Sequence, residues 1–210
     1  MRIAYSLGSL LSVNQVIKCS EILSKTNVES IWVPETWGME NFSMLGAVAN
    51  KTSTQKIGSS IINIYSRSPS TIAMGASTID ILSNGRLVLG LGTSSEPIVE
   101  DFHGEKFENP VERMKEYVEI IRLALTKKQI NYSGKIFNLK NFTLLIEPKR
   151  QTIPIYLAAI NQKMVELTWE IGDGVIFYLR PLDEMKNTIS KMQSEKKIDV
   201  ACQIITCVSN

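Results

Sequence analysis

The chain has 210 residues and a formal net charge of +2, with 44% hydrophobic and 21% charged residues. These values are ordinary for a globular protein, and the absence of a basic run or of aromatic–basic interleaving argues against a nucleic-acid partner. The sequence has neither an apolar segment of transmembrane length nor a signal-peptide core, so we expect no membrane partner.

Cysteine and histidine usage argues against disulfides and metal sites. The three cysteines are scattered and none forms a Cys-x-x-Cys pair, which predicts neither a disulfide framework nor a zinc site and favours the cytoplasm. His103 is the only histidine, so a transition-metal site is not expected. A Ser-His-Asp triad is not expected either, and His103 is interpreted as a loop residue. The cysteines are Cys19, Cys202 and Cys207.

Seven short apolar runs alternate with amphipathic segments along the chain. Their apolar residues are mostly consecutive, which is typical of strands that are buried on both faces in a parallel sheet. The predicted strands are Ile3–Leu7, Ser30–Val33, Ile57–Ile64, Leu87–Leu91, Ile155–Ala159, Gly174–Tyr178 and Val200–Val208.

Four helices are predicted between these strands from capping residues and apolar spacing. One begins at Ser68-Pro69 and ends near Gly85, and a second begins at Asn109-Pro110 with Glu112 at its third position. A third runs from Asn161 to Gly172, and the last carries Leu182, Met185, Ile189 and Met192. Alternating strands and helices predict βα units, which fit either a doubly wound sheet or a TIM barrel.

Residues 130–148 interrupt this alternation. Apolar and polar residues alternate there around Gly134, which predicts a β-hairpin or an extended excursion. Because no Pro/Gly/Ser-rich linker divides the chain, residues 1–210 are expected to form one domain with this hairpin as an insertion.

Three short motifs are candidates for a functional role. Glu35 follows Pro34 at the end of a strand, where it would serve as a proton donor or acceptor, hold a cofactor ring, or accept structural hydrogen bonds from backbone amides. Arg67 would bind an anionic ligand or form an ion pair. The segment Asn161-Gln162-Lys163 opens a helix after a strand, where backbone N–H groups are suited to bind a phosphate.

Gly90-Leu-Gly92-Thr93 resembles a phosphate-binding glycine loop only superficially. The dinucleotide-binding pattern needs a third glycine that opens a helix, whereas position 95 is Ser and the next predicted helix begins near Pro110. We therefore interpret this segment as a strand end where small residues let the backbone turn.

Four segments in chain order resemble the luciferase-like flavin and deazaflavin oxidoreductases. They are SIWVPETWG, KIGSSIINIYSRSP, STIDILSNGRLVLGLGTSS and PIYLAAINQKMVELTWEIGDGVI. The segments ERMKEYVEII and YSGKIFNLKNF are similar to the members that use coenzyme F420, such as methylenetetrahydromethanopterin reductase.

The resemblance implies a TIM (β/α)8-type barrel with coenzyme F420, or alternatively FMN, at the carboxyl ends of the strands. It implies a cis peptide bond at Ser60–Ile61 behind the cofactor ring and a phosphate bound by the backbone around Ala159, Ile160 and Asn161. It further implies a homodimer that acts on a small-molecule substrate. The remaining implied site residues are Asn63, Thr93 and Ser94 beside the cofactor, Glu35 as a catalytic residue, and Ser6, Thr36 and Trp37 in the substrate pocket.

The chain also departs from the family pattern. Many relatives have Asp-His where this chain has Glu35-Thr36, and Ser68 stands where relatives often have His. Glu96 is the candidate substitute in proton transfer. The family barrel has eight strands, whereas about seven are counted before Asn210, so we expect a barrel truncated before its eighth strand, with two unpaired edges.

Three functions are therefore expected in order of preference. The first is an oxidoreductase that transfers a hydride between coenzyme F420 and a small organic or pterin substrate. The second is an FMN-dependent luciferase-like monooxygenase. The third is a non-catalytic flavin-binding subunit.

Overall fold

The computed structural model describes residues 2–8, 10–126, 129–146 and 148–206. The strands within them are β1 (Ala4–Ser6), β2 (Ser30–Val33), β3 (Lys56–Ser59), β4 (Ile62–Asn63), β5 (Leu87–Gly92), β6 (Ile130–Ser133), β7 (Asn138–Phe142), β8 (Ile155–Ala158), β9 (Gly174–Tyr178) and β10 (Asp199–Gln203). The α-helices are α1 (Val13–Leu23), α2 (Asn41–Lys51), α3 (Pro69–Leu82), α4 (Pro110–Leu125), α5 (Gln162–Ile171) and α6 (Leu182–Glu195), and Ile98–Phe102 forms a π-helical turn.

The main sheet is parallel and nearly closes into a barrel. Its strand order is β1-β2-β3-β5-β8-β9-β10, and β4 pairs with β5 beside β3. β3 and β4 are therefore two halves of one interrupted strand. Successive strand positions are joined through helices, as βα units require. The predicted TIM-barrel class is confirmed, with seven strand positions in the described sheet.

All seven predicted strands are present. Most of their bounds agree to within one residue, but one strand is divided and another is shorter than predicted. The predicted strand Ile57–Ile64 is divided into β3 and β4 at Ser60–Ile61. The predicted strand Val200–Val208 is too long, because β10 ends at Gln203 and residues 204–206 are not in a strand. Its last two residues, Cys207 included, lie outside the described part of the chain.

The predicted helix starts are confirmed with one difference in capping. Ser68 accepts a hydrogen bond from Thr71 N at 3.2 Å, and Asn161 accepts one from Met164 N at 2.9 Å. Asn109 precedes α4, but its backbone is left-handed with a φ of 50° and its side chain makes no capping bond. The side chain of Asn109 therefore does not cap α4.

Two helices, α1 and α2, were not predicted from the sequence. α1 carries a reciprocal capping box, in which Ser12 N donates to Gln15 Oε1 at 2.8 Å and Gln15 N donates to Ser12 Oγ at 3.4 Å. This Ser-x-x-Gln spacing is a local signal that would have identified the start of α1. None of the described helices is long and apolar enough to cross a membrane.

Two apolar clusters stabilise the barrel. The larger cluster lies between the sheet and the helices around it. The smaller cluster lies on the inner face of the sheet and consists of Trp32, Val88, Tyr156 and Ile176, with the rings of Trp32 and Tyr156 5.7 Å apart. All four of these residues line a cavity within the barrel.

The predicted insertion forms an antiparallel hairpin. β6 pairs with β7 between Ile130 and Phe142, separately from the main sheet. It lies in the connection between α4 and β8, and it contacts α4.

Candidate functional site

The interruption between β3 and β4 is the central feature of the carboxyl edge. The Ser60–Ile61 peptide bond is cis, as the resemblance implies. β5 approaches this interruption closely: a Cβ atom on Gly90 would lie 1.9 Å from Ser59 O, and one on Gly92 would lie 2.6 Å from Ile61 Cγ1. The two glycines therefore make room for the interrupted strand. This gives the Gly-Leu-Gly segment a packing role in addition to the turn predicted at its end.

Ser59 replaces backbone pairing at the interruption. Its buried hydroxyl donates to Gly90 O and accepts from Gly90 N, both at 2.8 Å. The hydroxyl thus satisfies two backbone groups of β5 that a regular neighbouring strand would otherwise pair. Sequence patterns did not identify Ser59, although a polar residue within an apolar strand is the signal that would have drawn attention to it.

Two buried polar atoms at the interruption have no partner among the described residues. Asn63 is 4% exposed, and its Oδ1 accepts from Tyr65 N at 3.0 Å, so its unpartnered atom is the donor Nδ2. The Oγ atom of Ser60 is also buried and unpartnered. Such groups cost free energy unless a ligand or water pairs with them. Both atoms belong to residues predicted to bind the cofactor.

A cavity of about 770 Å³ runs along the barrel interior, from Lys56 and Asp199 at the amino ends of β3 and β10 to Ser60 at this interruption. This volume lies within the range of small-molecule sites in proteins. The cavity brings together the predicted residues Ser6 and Ser60, and Gln203 Nε2 donates to Ser6 Oγ at 3.2 Å. Gln203 was not identified from the sequence because this contact joins residues at opposite ends of the chain. The residues that line the cavity include Ser6, Trp32, Ser60, Tyr156, Ile176 and Gln203.

A second concave region of about 670 Å³ lies where the N-termini of α4 and α5 meet. Asn161, Gln162 and Lys163 line one side of it and residues 109–112 line the other. Of the three residues predicted to bind a phosphate, Ala159 is buried, whereas Ile160 and Asn161 are exposed at the end of β8. Exposed N–H groups at a helix start, with Lys163 beside them, suit an anionic group.

Glu35 forms a two-bond ion pair with Arg67. Arg67 Nη2 donates to Glu35 Oε1 at 2.6 Å and Nη1 donates to Oε2 at 2.8 Å, and both side chains are more than four-fifths buried. Glu35 Oε1 also accepts from Asn41 N at 3.1 Å, and Arg67 also contacts the carboxylate of Glu40. Hydrogen bonding to Glu35 raises the pKa of Arg67. The pair fixes the loop after β2 to the segment after β4.

The remaining predicted residues are more exposed and lie after the ends of β2 and β5. Thr36 and Trp37 are exposed, with Trp37 at 68%. Thr93 is half-buried, and Ser94 is exposed with a φ of 59°. Glu96 is exposed and makes no hydrogen bond or ion pair within the described residues. The structure therefore brings Ser6 and Ser60 together in the lining of one cavity, which does not include this outer group.

No metal site is assembled in the part of the chain that the structure describes. Those residues include no group of three or more His, Cys, Asp or Glu side chains placed to hold an ion. His103 lies after the π-helical turn, edge-on to Phe102 at 5.0 Å.

A nearly closed ring of parallel strands with helices outside it is the arrangement of TIM-barrel proteins. Within that class, the chain belongs to the luciferase-like monooxygenase family, whose sequence profile matches residues 4–210.

Individual relatives support this assignment. The chain is 39% identical over 146 residues to a 5,10-methylenetetrahydromethanopterin reductase of Archaeoglobus fulgidus, covering 69% of this chain and 43% of the relative. The F420-dependent tetrahydromethanopterin reductase structure from Methanopyrus kandleri has a TM-score of 0.87 at 21% identity, over 96% of this chain and 65% of that one. An F420-dependent secondary alcohol dehydrogenase, solved with an F420-acetone adduct, has a TM-score of 0.85 at 19% identity, over 96% of this chain and 68% of that one. The chain spans about half the length of the curated relatives it matches.

Proposed function

We propose that this chain forms the cofactor-binding part of an oxidoreductase that transfers a hydride between coenzyme F420 and a small organic or pterin substrate. The observation that carries the proposal is the pair of buried, unpartnered groups at the strand interruption, Asn63 Nδ2 and Ser60 Oγ. The names of the Archaeoglobus fulgidus reductase and of the two solved F420-dependent proteins support the choice of cofactor.

The residues present fit a planar cofactor with polar edges. The interruption offers one rigid surface, and a ring with carbonyl oxygens would accept hydrogen bonds from Asn63 and Ser60. The backbone at Ala159–Asn161 would hold the cofactor phosphate, and Thr93 and Ser94 would line its pocket. Coenzyme F420 would supply hydride chemistry when bound, while the protein orients the reactants and excludes water.

We assign different roles to the two candidate carboxylates. Glu35 would have to release one of its bonds to Arg67 before it took up a proton. We therefore propose that Glu35 positions the β2 loop, and that Glu96 exchanges protons with the substrate. Ser6, Thr36 and Trp37 are proposed to contact the substrate.

The proposed assembly is a homodimer of this barrel domain. Its support is the apolar surface at the outer strands, where Tyr5 is 48% exposed and Ile204 is 72% exposed. Unpaired strand edges with apolar side chains favour association.

A fluorescence titration of the purified chain with oxidised F420 and, separately, with FMN tests the cofactor. Binding of F420 alone would support the proposal, and binding of FMN alone would favour the monooxygenase. Binding without turnover of the reduced cofactor would favour the non-catalytic subunit. Two features of the chain already support that alternative: the Glu35–Arg67 ion pair and the absence of His at positions 36 and 68. Failure of both cofactors to bind would contradict the first two functions.

Ser60→Ala tests the placement of the cofactor ring. Removing the hydroxyl leaves no broken bond among the described residues, so the fold should be unaffected, while the dissociation constant should rise about fivefold for one lost hydrogen bond. Ser77→Ala is the matched control, because Ser77 Oγ is also buried and unpartnered but lies in α3. Equal dissociation constants for Ser60→Ala and Ser77→Ala would show that the cofactor ring does not contact Ser60.

A further inference from the structure

The hairpin formed by β6 and β7 is held against α4 by three acidic side chains. Glu116 is 2% exposed, and its carboxylate accepts from Lys135 N at 2.7 Å and Phe137 N at 2.8 Å in the hairpin turn. Glu119 Oε2 accepts from Tyr132 OH at 2.7 Å, and Glu112 pairs with Lys135 Nζ at 3.3 Å. Spacings of three and four residues place the three acids on one face of α4.

Gly134 allows this turn to approach Glu116. A Cβ atom at position 134 would lie 2.3 Å from Glu116 Oε2 and 2.5 Å from its Cδ. The carboxylate is fixed by three backbone amides, those of Lys135, Ile136 and Phe137, so it has little freedom to move aside. Hairpin docking therefore depends on a glycine at this position.

Docking places Phe137 against two side chains of α4. The rings of Phe137 and Tyr117 meet edge to face with centroids 5.1 Å apart. The guanidinium of Arg113 lies 5.3 Å from the Phe137 ring centroid and 4.5 Å from the Tyr65 ring centroid. Arg113 is thus a planar cation between one ring of the hairpin and one ring of the segment after β4.

The same groups hold the segment that carries the candidate site. Tyr65 N donates to Asn63 Oδ1 at 3.0 Å, which leaves Asn63 Nδ2 buried without a partner. Tyr117 OH donates to Arg67 O, two residues beyond Tyr65. Each contact is direct, so the hairpin, α4 and the Asn63–Arg67 segment form one continuous packed unit.

We propose that Arg113 is a positioning residue for the cofactor site, and that the docked hairpin fixes the orientation of Asn63 through Phe137, Arg113 and Tyr65. Arg113 Nε is buried and has no hydrogen-bond partner among the described residues, so stacking rather than hydrogen bonding by this atom accounts for its place. The proposal rests on the proposed function only for the identity of the ligand. Its physical basis is a chain of contacts that ends on Asn63, whose Nδ2 is one of the two buried, unpartnered groups at the strand interruption.

Arg113→Met tests the positioning residue directly. Methionine fills the space between the two rings without the planar cation, so Tyr65 and Asn63 should lose their fixed orientation. We expect the dissociation constant of oxidised F420, or of FMN, to rise about fivefold or more, and the absorption spectrum of the bound cofactor to shift. Arg113→Lys keeps the positive charge but lacks the planar guanidinium, so it should restore neither the dissociation constant nor the absorption spectrum.

Gly134→Ala tests the hairpin at a distance from the site. The added Cβ should push the turn away from Glu116, which is read from faster hydrogen exchange at the amides of Lys135 and Phe137. We expect cofactor affinity and the exchange protection of the Tyr65 amide to fall together with hairpin protection. Gly46→Ala in α2 is the matched control, because its nearest contact would be an ordinary 3.7 Å.

The outcomes separate this proposal from the proposed function. Faster hydrogen exchange in the hairpin, with unchanged cofactor affinity and unchanged protection of the Tyr65 amide, would contradict the proposed coupling between the hairpin and Asn63. If the hairpin of Gly134→Ala stays protected, Glu116→Ala, which removes the acceptor of three amides, is measured in its place. If the unmodified chain binds neither cofactor, the proposed function is wrong. The coupling between the hairpin and the Asn63 segment is then tested by the hydrogen-exchange protection of the Tyr65 amide alone.

Discussion

Gly90 and Ser59 determine how closely β5 approaches the interrupted strand. The hydroxyl of Ser59 bonds to both backbone groups of Gly90, and the absent side chain of Gly90 leaves room for Ser59 O. The two residues are 31 positions apart, and neither carries charge. The surface that we propose for the cofactor is thus formed by close backbone contact, which requires a small residue at each position.

Gly90→Ala should separate these strands. Its Cβ would lie 1.9 Å from Ser59 O, a distance that only a backbone shift relieves, so we expect a loss of about 2–3 kcal/mol in the free energy of unfolding. Chemical denaturation measures this loss, and cofactor affinity should fall in the same variant. Gly46→Ala, in a helix with no close contact, should be neutral or stabilising by up to about 1 kcal/mol. Similar stabilities for the two variants would contradict the close approach.

At the scale of whole elements, Arg86 joins the C-terminal ends of two helices. Its guanidinium donates to the carbonyl oxygens of Ala49, Thr52 and Gln55 at 3.1, 2.9 and 2.6 Å, and its Nε donates to Ser83 O at 2.6 Å. Carbonyl groups at helix ends lack partners within the helix, so one side chain satisfies the ends of α2 and α3. Burial lowers the pKa of Arg86.

Arg86→Met should therefore destabilise the fold by about 3 kcal/mol, because the carbonyl groups of several buried residues lose their donors. Arg122→Met is the control. Arg122 is about half exposed, and it donates to Ile171 O at 2.7 Å and to Asp173. Its loss should cost no more than about 1 kcal/mol in thermal or chemical denaturation. An equal loss in the two variants would show that the Arg86 bonds do not join the elements.

Elements were predictable from the sequence where their signals are local. The bounds of β2 and β9 follow from apolar runs, and α3 and α5 begin at the predicted caps. The division of the third strand was indicated only by the family resemblance, because no propensity in Ile57–Ile64 favours a break. α2 also lacked a local signal, since its N-cap is Glu40, a residue type outside the preferred capping set.

The candidate site was predictable in its members but not in their contacts. Ser60 and Asn63 lie at the interruption, as expected, and their unpartnered atoms are visible only in three dimensions. Glu35 and Arg67 were each given more than one possible role, and their pairing joins positions 32 residues apart. Such pairing depends on the order of strands in the sheet, which periodicity does not specify. The role of Arg113 depends in the same way on two rings from other elements.

At the scale of the whole molecule, side chains bridge the two outer strands. β1 and β10 are the ends of the described strand order, and no described strand lies between them. Arg2 Nη1 donates to Asp199 Oδ2 at 2.9 Å, and Gln203 donates to Ser6. Side-chain contacts therefore connect the two end strands of the described order.

Asp199 lies at the centre of this bridge, where it contacts both Arg2 and Tyr156. Partial burial raises the pKa of Asp199, but hydrogen bonds from Arg2 and Tyr156 outweigh it and lower the pKa overall. Burial, followed by the bond to Asp199, raises the pKa of Tyr156. The carboxylate and the neutral phenol are thus the forms that the folded barrel favours.

These shifts predict how stability depends on pH. Because the folded pKa of Asp199 is lowered, its contribution is present above about pH 4, the value for an unfolded aspartate, and is lost as the pH falls through the folded pKa. Asp199→Asn should therefore be less stable than the unmodified chain near pH 7, and the difference should shrink as the pH falls from about 5 to about 2. The raised pKa of Tyr156 predicts a second loss as the pH rises above about 10. Urea denaturation across this range measures both, with Asp101→Asn, at an exposed carboxylate, as the control. A difference between Asp199→Asn and the unmodified chain that stays constant from pH 7 to pH 2 would show that the ionised carboxylate of Asp199 does not contribute to stability through the bridge between β1 and β10.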